Sequence, residues 1–323
     1  MASLLASAGV ALASGAGLPQ TPRTRVLPAP QQISTQLRFE LRVLAPGVYV
    51  HAGRQEESTR ANLGDIANLA LVVGTHCAAV IDSGGSYAVG RAFAEAVRRV
   101  TLLPVCALIN THAHPDHVFG NAAFADADAG LRIVGHARLP AALATRGPTY
   151  LHALQRELGA AAAGTRIVAP TETVDGTTSI DLGGRRLLLR TWPTAHTDCD
   201  LTVWDEASAT LFTGDLLFVE RMPALDGSLV GWLKVIDELR ALHPRHVLPG
   251  HGAPDSPWPA ALDEEAAYLH LLDREVRAAI AEGRGLREAI ASVGVDAPAH
   301  WKLAEHYHKR NVTAAYAELE WAQ

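Results

Sequence analysis

The segment "INTHAHPDHVFGN", residues 109–121, is the feature that most restricts what this chain can fold into. It brings three imidazoles and one carboxylate together at His112, His114, Asp116 and His117. In an extended segment, side chains at i and i+2 point the same way, so the first two histidines can reach one metal ion together. The following proline is suited to begin a helix, which turns the last two groups away from the first pair. The segment therefore predicts one wall of a site for two neighbouring metal ions.

The other ligands of such a site must come from elsewhere in the chain, and three downstream residues have the required setting. They are His196 in "WPTAHTDCD", Asp215 in "LFTGDLLF" and His251 in "VLPGHG". Each lies at the end of a predicted strand or in a hairpin, where a role in the core would not explain a polar side chain. We therefore expect them to complete the metal site.

The order of predicted elements indicates an α/β fold. In the first half, a hairpin in "NLALVVGTHCAAVIDSGG" precedes the helical pattern "SYAVGRAFAEAVRRV". In the second half, two further hairpins precede the amphipathic helix "SLVGWLKVIDELRALH", and the chain from Trp258 onward is mostly helical in pattern. Hairpins followed by helices thus occur once in each half, which favours two mixed β-sheets with helices on the outside.

Composition restricts the partners. The chain has 323 residues, of which 48% are hydrophobic, and a net charge of −6. This is enough apolar material for one large layered domain, and the acidic balance argues against a nucleic-acid-binding face. We predict a small-molecule substrate, no nucleic acid and no integral membrane segment.

The N-terminus has the character of an export signal. "MASLLASAGVALASGAGLPQ" is apolar and rich in small residues, like the apolar and cleavage regions of a secretory signal, although the first charge comes only at Arg23. It is too short and too rich in glycine and alanine for a good membrane anchor. We predict a periplasmic or secreted protein. The alternative is a disordered N-terminal tail on a cytoplasmic protein.

The three cysteines, Cys77, Cys106 and Cys199, are far apart in sequence and form no CxxC pair. We therefore predict neither a disulfide framework nor a cysteine zinc site. Cys77 and Cys106 lie in apolar runs and are expected to be small core residues, whereas Cys199 is close enough to His196 to lie near the metal site.

The chain order HxHxDH, then His, then Asp, then a final GH resembles the metallo-β-lactamase superfamily. The resemblance implies an αββα four-layer sandwich with a two-metal site at the rim between the sheets. One metal would take His112, His114 and His196. The other would take Asp116, His117 and His251, and Asp215 would bridge both. The catalytic domain would span residues 39–257, with an apolar tail or signal and linker at 1–38 and a helical extension at 258–323 packed on the same domain.

A narrower resemblance is carried by "ANLGDIANLALVVG", "WPTAHTDCDLTVWDE", "FTGDLLFVERMPALDGSLVGWL" and "RNVTAAYAELEW". These segments resemble the quinoprotein relay system zinc metallohydrolases and the similar SoxH-type proteins, from about Leu41 to the C-terminus. The resemblance implies a link to a periplasmic quinoprotein dehydrogenase or sulfur-oxidation system. An aspartate at 215, where many two-zinc β-lactamases have a cysteine or serine, is similar to the branch with glyoxalase II and other ester or thioester hydrolases.

The implied activity is a metallohydrolase that uses two Zn²⁺ ions, with Fe or Mn as alternatives. A metal-bound hydroxide would attack an ester, thioester, lactone or related bond. Asp116 would be catalytic as well as a ligand, because it can orient the hydroxide through a hydrogen bond. Asp82 is expected to orient a metal-bound imidazole, unless it only caps the next helix. Arg221 is a candidate for binding an anionic group, unless its loop merely packs.

Three other functions stay open. Imidazole and carboxylate ligands suit iron as well as zinc, so an iron-dependent oxidoreductase resembling persulfide dioxygenases is the main alternative. A β-lactamase is a second, disfavoured by the acidic bridging position. A non-catalytic binding module is a third, and the complete set of seven ligands argues against it.

Overall fold

A computed structural model describes residues 37–321 of the chain, within one compact unit. The expected signal or tail at 1–38 lies almost wholly outside the described residues. The strands are β1 (Arg42–Ala45), β2 (Val48–His51), β3 (Leu69–Val73), β4 (Ala78–Ile81), β5 (Val105–Ile109), β6 (Arg132–His136), β7 (Glu172–Val174), β8 (Thr177–Asp181), β9 (Arg186–Thr191), β10 (Leu201–Asp205), β11 (Thr210–Phe218) and β12 (His246–His251). The α-helices are α1 (Tyr87–Val100), α2 (Pro115–Val118), α3 (Asn121–Ala127), α4 (Leu139–Leu158), α5 (Leu229–Arg240), α6 (Ala260–Ala281), α7 (Leu286–Ser292) and α8 (Ala304–Leu319). Short 3₁₀ turns occur at Gly159–Ala162 and Ala297–His300.

The strands form two mixed sheets, as predicted. The first has seven strands in sequence order from β1 to β7, antiparallel as far as β4 and parallel from β4 to β7. The second has five strands in the order β12-β11-β10-β9-β8, in which only the β11–β12 pair is parallel. The alternation of buried side chains in β2 and β9 matches the period of two that a strand with one inner face requires.

The two sheets and the helices on their outer faces form four layers, with an apolar cluster between each pair of neighbouring layers. Inward-facing residues of both sheets, such as Ile81, Ile109 and Phe212, fill the space between them. A second cluster packs α1, α3 and α4 on the outer face of the first sheet, and a third packs α5 to α8 against β11 on the outer face of the second sheet. This is the αββα sandwich that the resemblance implied. Among the described helices, none is both long and apolar enough to span a bilayer.

The prediction for two of the cysteines was wrong. Cys77 and Cys106 form a disulfide, with their Cα atoms 5.8 Å apart. β4 and β5 are parallel neighbours, and the pairing of Ala78 with Val105 brings the two cysteines side by side at the start of these strands. A separation of 29 residues in sequence says nothing about distance across adjacent parallel strands. Both side chains are only partly buried, so they are not core residues.

Candidate metal centre

The loop after β5 leads into α2 at the predicted residue. His114, in extended conformation, is the N-cap of α2, and Pro115 is the first residue of that helix, whereas the chain bends at His112 and Ala113 instead of staying extended. His112 and His117 are fully buried, whereas His114 and Asp116 are partly exposed. The loop therefore presents its four polar side chains at the edge of the first sheet.

The three downstream residues reach the same edge from the second sheet. Asp215 lies within β11, next to Gly214, whose positive φ of 52° coincides with an irregularity in the β11–β12 pairing. His251 ends β12, and a Cβ at the preceding Gly250 would lie 1.9 Å from Asp215 Oδ1. His196 lies between β9 and β10 and is buried. Glycine beside two of these residues thus gives the close approach that converging ligands need.

All seven predicted ligand residues come together in two adjoining groups. Within each group, one possible ligand atom of every residue lies within 4.8 Å of those of the others. The first group is His112, His114, His196 and Asp215, and the second is Asp116, His117 and His251. The resemblance implied the same grouping of residues, and Asp215 Oδ1 is also only 3.1 Å from His117 Nε2 of the second group.

Each of the five imidazoles is held by the nitrogen that faces away from the centre. The nitrogens and their partners are His112 Nδ1 with Thr111 Oγ1 (3.0 Å), His114 Nε2 with Asp226 Oδ2 (3.1 Å), His117 Nδ1 with Asp82 Oδ2 (2.8 Å), His196 Nδ1 with the Ala224 carbonyl (2.7 Å) and His251 Nδ1 with the Ile66 carbonyl (2.8 Å). A metal-ligating histidine typically makes this kind of contact through its other nitrogen, which fixes the ring and its tautomer. Five rings anchored from outside leave five inner nitrogens directed at one place.

Several inner atoms have no hydrogen-bond partner. His112 Nε2, His117 Nε2 and Asp215 Oδ1 are buried without one, although buried polar groups are rarely left so in proteins. His117 Nε2 and Asp215 Oδ1 are close, yet their geometry is not that of a hydrogen bond. Bound divalent ions would give these unpartnered nitrogen and carboxylate oxygen atoms the partners that they lack. The residues present therefore fit a metal of the zinc or iron type.

Burial and neighbouring charges shift the pKa values of the cluster residues in both directions. Burial lowers the pKa of His196 to about 3 and that of His112 well below its ordinary value. Burial alone would raise the pKa of Asp215, but the neighbouring His251 and His117 overcome this and hold it well below the usual range. Asp116 is likewise held low against its burial, chiefly by His117. Burial would also lower the pKa of His117 and His251, but the Asp215 carboxylate overcomes this and raises the pKa of both. These two imidazoles would therefore release a proton when a metal binds.

A cavity of about 320 Å³ opens over the centre. Its wall includes His114, Asp116, Asp215 and His251 from the metal cluster. The other lining residues are Ile66, Pro115, Tyr150, Phe218, Arg221, Ala224, Leu225, Asp226, Tyr307, Arg310 and Asn311. A second cavity of about 450 Å³ shares Ile66, Pro115, Asp116 and Tyr150 with it and extends past Leu154 of α4. A small molecule thus has access to the centre.

Three further residues considered in the sequence analysis, Asp82, Arg221 and Cys199, lie in different surroundings. Asp82 accepts hydrogen bonds from the Thr111 backbone and hydroxyl and contacts His117, as expected of a residue that orients a ligand; Ser86, not Asp82, caps α1. Arg221 lines the cavity. The thiol of Cys199 is buried, which raises its pKa to about 12, so it has no reactive character.

Four residues that support the centre were missed from the sequence, two that act through side chains and two through backbone carbonyls. The Asp226 carboxylate contacts His114 and accepts a 2.6 Å hydrogen bond from Arg146 Nη1 of α4. The roles of the Ile66 and Ala224 carbonyls cannot be predicted from the sequence, because every residue has a backbone carbonyl. The aspartate in "PALDG" offered a signal, since it follows the bridging position in a polar loop.

The fold and the cluster define a class, the αββα proteins whose His/Asp cluster at the sheet edge can hold metal ions. The metallo-β-lactamase superfamily model matches residues 63–251, which is more than half of the chain. This chain therefore belongs to the metallo-β-lactamase superfamily.

Solved structures show the same fold at low identity. TMB-1 is similar at 17% identity with a TM-score of 0.56, and a metallo-β-lactamase from Pontibacter korlensis at 20% with 0.55; each match covers 72% of this chain and 98% of the other. The sec-alkylsulfatase Pisa1 from Pseudomonas sp. is similar at 15% identity with a TM-score of 0.67, over 86% of this chain and 49% of that protein. A sequence search of curated proteins returns no match.

Proposed function

We propose that this protein is a metal-dependent hydrolase that holds two metal ions, zinc in the first instance, in the described cluster. The observation that carries the proposal is the set of five anchored imidazoles whose inner nitrogens converge with two carboxylates below an open cavity. His112, His114 and His196 would hold one ion, Asp116, His117 and His251 the other, and Asp215 would bridge them. The superfamily and the named solved relatives, β-lactamases and an alkylsulfatase, support hydrolysis.

Two bound divalent ions would supply a water-derived nucleophile at neutral pH and stabilise charge that develops on the substrate. The protein's part is to hold the ligands rigid, which the outward contacts of the imidazoles do. Asp116 Oδ2 lies 3.2 Å from His251 Nε2 and faces the cavity, and its low pKa keeps it ionised. We assign Asp116 the role of orienting the attacking water through a hydrogen bond.

We further propose an ester, thioester or lactone as the substrate class, and an exported protein that serves a quinoprotein dehydrogenase system. The Cys77–Cys106 disulfide supports export, because such bonds persist in oxidising compartments and are rare in the cytosol. The partner and the substrate class rest on the sequence resemblance.

Metal analysis combined with a substrate panel tests the function. Purified protein should contain close to two equivalents of zinc and hydrolyse at least one of a thioester, a lactone and an aryl ester. Chelation should abolish turnover and added zinc restore it, whereas Asp116→Ala should lose most turnover. Iron at full occupancy with persulfide oxidation, and no hydrolysis, would instead favour the oxidoreductase. Zinc-dependent turnover confined to a β-lactam would make it a β-lactamase.

A further inference from the structure

We propose that Arg310, Tyr307 and Arg221 form a subsite for a negatively charged group, so that the substrate is an organic anion such as a carboxylate-bearing ester. The inference rests on the proposed function, because this subsite opens into the cavity over the metal centre. Tyr307 and Arg310 belong to α8, which lies beyond the region matched by the superfamily model.

Two guanidinium groups flank the Tyr307 ring. The Cζ atom of Arg221 lies 5.4 Å from the ring centroid, and that of Arg310 lies 5.9 Å from it. Arg221 also donates a 2.9 Å hydrogen bond from Nη2 to the Tyr307 hydroxyl. All three side chains line the same cavity, so α8 and the segment after β11 together place two positive charges around one aromatic ring.

The two arginines differ in how far the protein satisfies them. Arg221 is 4% exposed and faces Glu57 at 3.8 Å, yet its Nε is buried without a partner. Arg310 is exposed, and within residues 37–321 no carboxylate forms an ion pair with it. Of the acidic cavity residues, Asp226 is already paired with Arg146, and Asp116 and Asp215 belong to the metal cluster. Arg310 thus supplies a positive charge that a substrate is free to use.

The subsite is held rigidly against the metal centre. Backbone bonds link Met222 to Lys302 (3.0 Å) and Lys302 to Glu220 (2.8 Å), which ties the start of α8 to the segment that carries Arg221. Asn311 accepts from the Leu225 backbone and donates to the Pro223 carbonyl, on either side of the carbonyl that anchors His196. The helix that carries Arg310 is thereby fixed relative to the metal centre, so a ligand at this position has to order only the Arg310 side chain.

Binding of dicarboxylates tests the subsite without any need for turnover. Titration calorimetry would compare glutarate with butyrate, and adipate with valerate, on the zinc-loaded full chain. One carboxylate of each probe can occupy the metal centre, and only the dicarboxylates have a second. We expect the dicarboxylate to bind about five- to tenfold tighter, as for a charge-assisted contact of low burial. That advantage should vanish in Arg310→Ala and persist in Lys309→Ala, which removes the neighbouring exposed charge of the same helix.

Measurements of turnover distinguish a failure of the subsite from a failure of the proposed hydrolase function. Mono-4-nitrophenyl glutarate and 4-nitrophenyl acetate offer a charged and a neutral ester. Arg310→Ala should lose activity about five- to tenfold toward the charged ester, mainly in KM, and none toward the neutral one. Equal loss on both, or no dicarboxylate advantage in the wild type, would overturn the subsite. If neither ester is hydrolysed but the dicarboxylate advantage behaves as expected, the ester hydrolase assignment fails and the subsite stands.

Discussion

His117 Nδ1 lies 2.8 Å from Asp82 Oδ2, and both side chains are almost completely buried. Asp82 also accepts two hydrogen bonds from Thr111, the residue before the first ligand, so one carboxylate fixes two parts of the metal-binding loop. It occupies the left-handed region, with φ of 57°, at the end of β4. This contact favours a proton on His117 Nδ1, so that Nε2 is the nitrogen that would bind a metal.

Asp82→Asn should weaken metal binding about 10- to 100-fold. Asparagine has only one acceptor oxygen in its side chain, so it cannot accept hydrogen bonds on both sides as the Asp82 carboxylate does, and no water can take its place in this buried position. Asparagine tolerates the left-handed backbone, so the variant should fold. Competition with a chromophoric chelator measures the affinity. Asp255→Asn is the matched control, because Asp255 contacts His246 at 3.0 Å, an imidazole outside the cluster. Equal metal affinity in Asp82→Asn and wild type would refute the orienting role.

Asp226→Asn should have a much smaller effect than Asp82→Asn, although both aspartates contact a histidine of the cluster. The Asp226 side chain is 44% exposed, whereas that of Asp82 is 3% exposed. Water can replace an exposed partner, so we expect a loss in metal affinity of no more than about fivefold. The same chelator competition measures it, with Arg146→Ala to show whether the arginine contributes through Asp226. A loss as large as in Asp82→Asn would show that burial does not govern these contacts.

Most of the fold and the residues of the His/Asp cluster could be predicted from the sequence, because both depend on short-range patterns. Apolar runs separated by turn residues predicted the hairpins, and Pro115 predicted the start of α2. The support of the ligands was harder to predict. The carbonyls that anchor His196 and His251 come from Ala224 and Ile66, and nothing in an alanine or isoleucine marks its backbone for such a role.

Contacts between elements distant in sequence explain the remaining differences. The disulfide was missed because it depends on the parallel pairing of β4 with β5, which no local pattern encodes. The C-terminal histidines His300 and His306 do not line the cavity, and His308 packs against Tyr268. The side of α8 that faces the cavity carries Tyr307, Arg310 and Asn311. Which side faces inward depends on how the helix docks.

Removing the disulfide should destabilise the protein without changing its metal centre. The bond joins the starts of β4 and β5, whereas the four cluster residues of the first sheet follow the opposite end of β5. For cysteines 29 residues apart, loss of the cross-link should lower the free energy of unfolding by about 3–4 kcal/mol on the chain-entropy model. Urea unfolding of a Cys77→Ala, Cys106→Ala double variant measures this, and a reductant should destabilise the wild type but not the variant. An unchanged unfolding midpoint would contradict the prediction.

Glu265 of α6 is a fully buried carboxyl group next to the metal centre. Its Oε1 accepts a 2.9 Å hydrogen bond from the Phe218 backbone, and its Oε2 has no partner. Phe218 in turn stacks on His251, with ring centroids 5.2 Å apart. Burial raises the pKa of Glu265 well above its ordinary value, so the group is neutral in the folded protein at a pH where it is ionised after unfolding.

The sign of the resulting pH dependence follows from proton uptake. Between the unfolded and the folded pKa, the folded protein binds a proton that the unfolded chain has released, so stability falls as pH rises through that window. Glu265→Gln keeps the acceptor for Phe218 and removes the titration. Its stability relative to wild type should therefore increase with pH, by up to about 1.4 kcal/mol per pH unit. Urea unfolding at several pH values between about 5 and 8 measures the difference. Glu264→Gln, on the half-exposed neighbour, should show no such trend, and a constant difference for Glu265→Gln would mean that this carboxyl group is ionised in the folded protein.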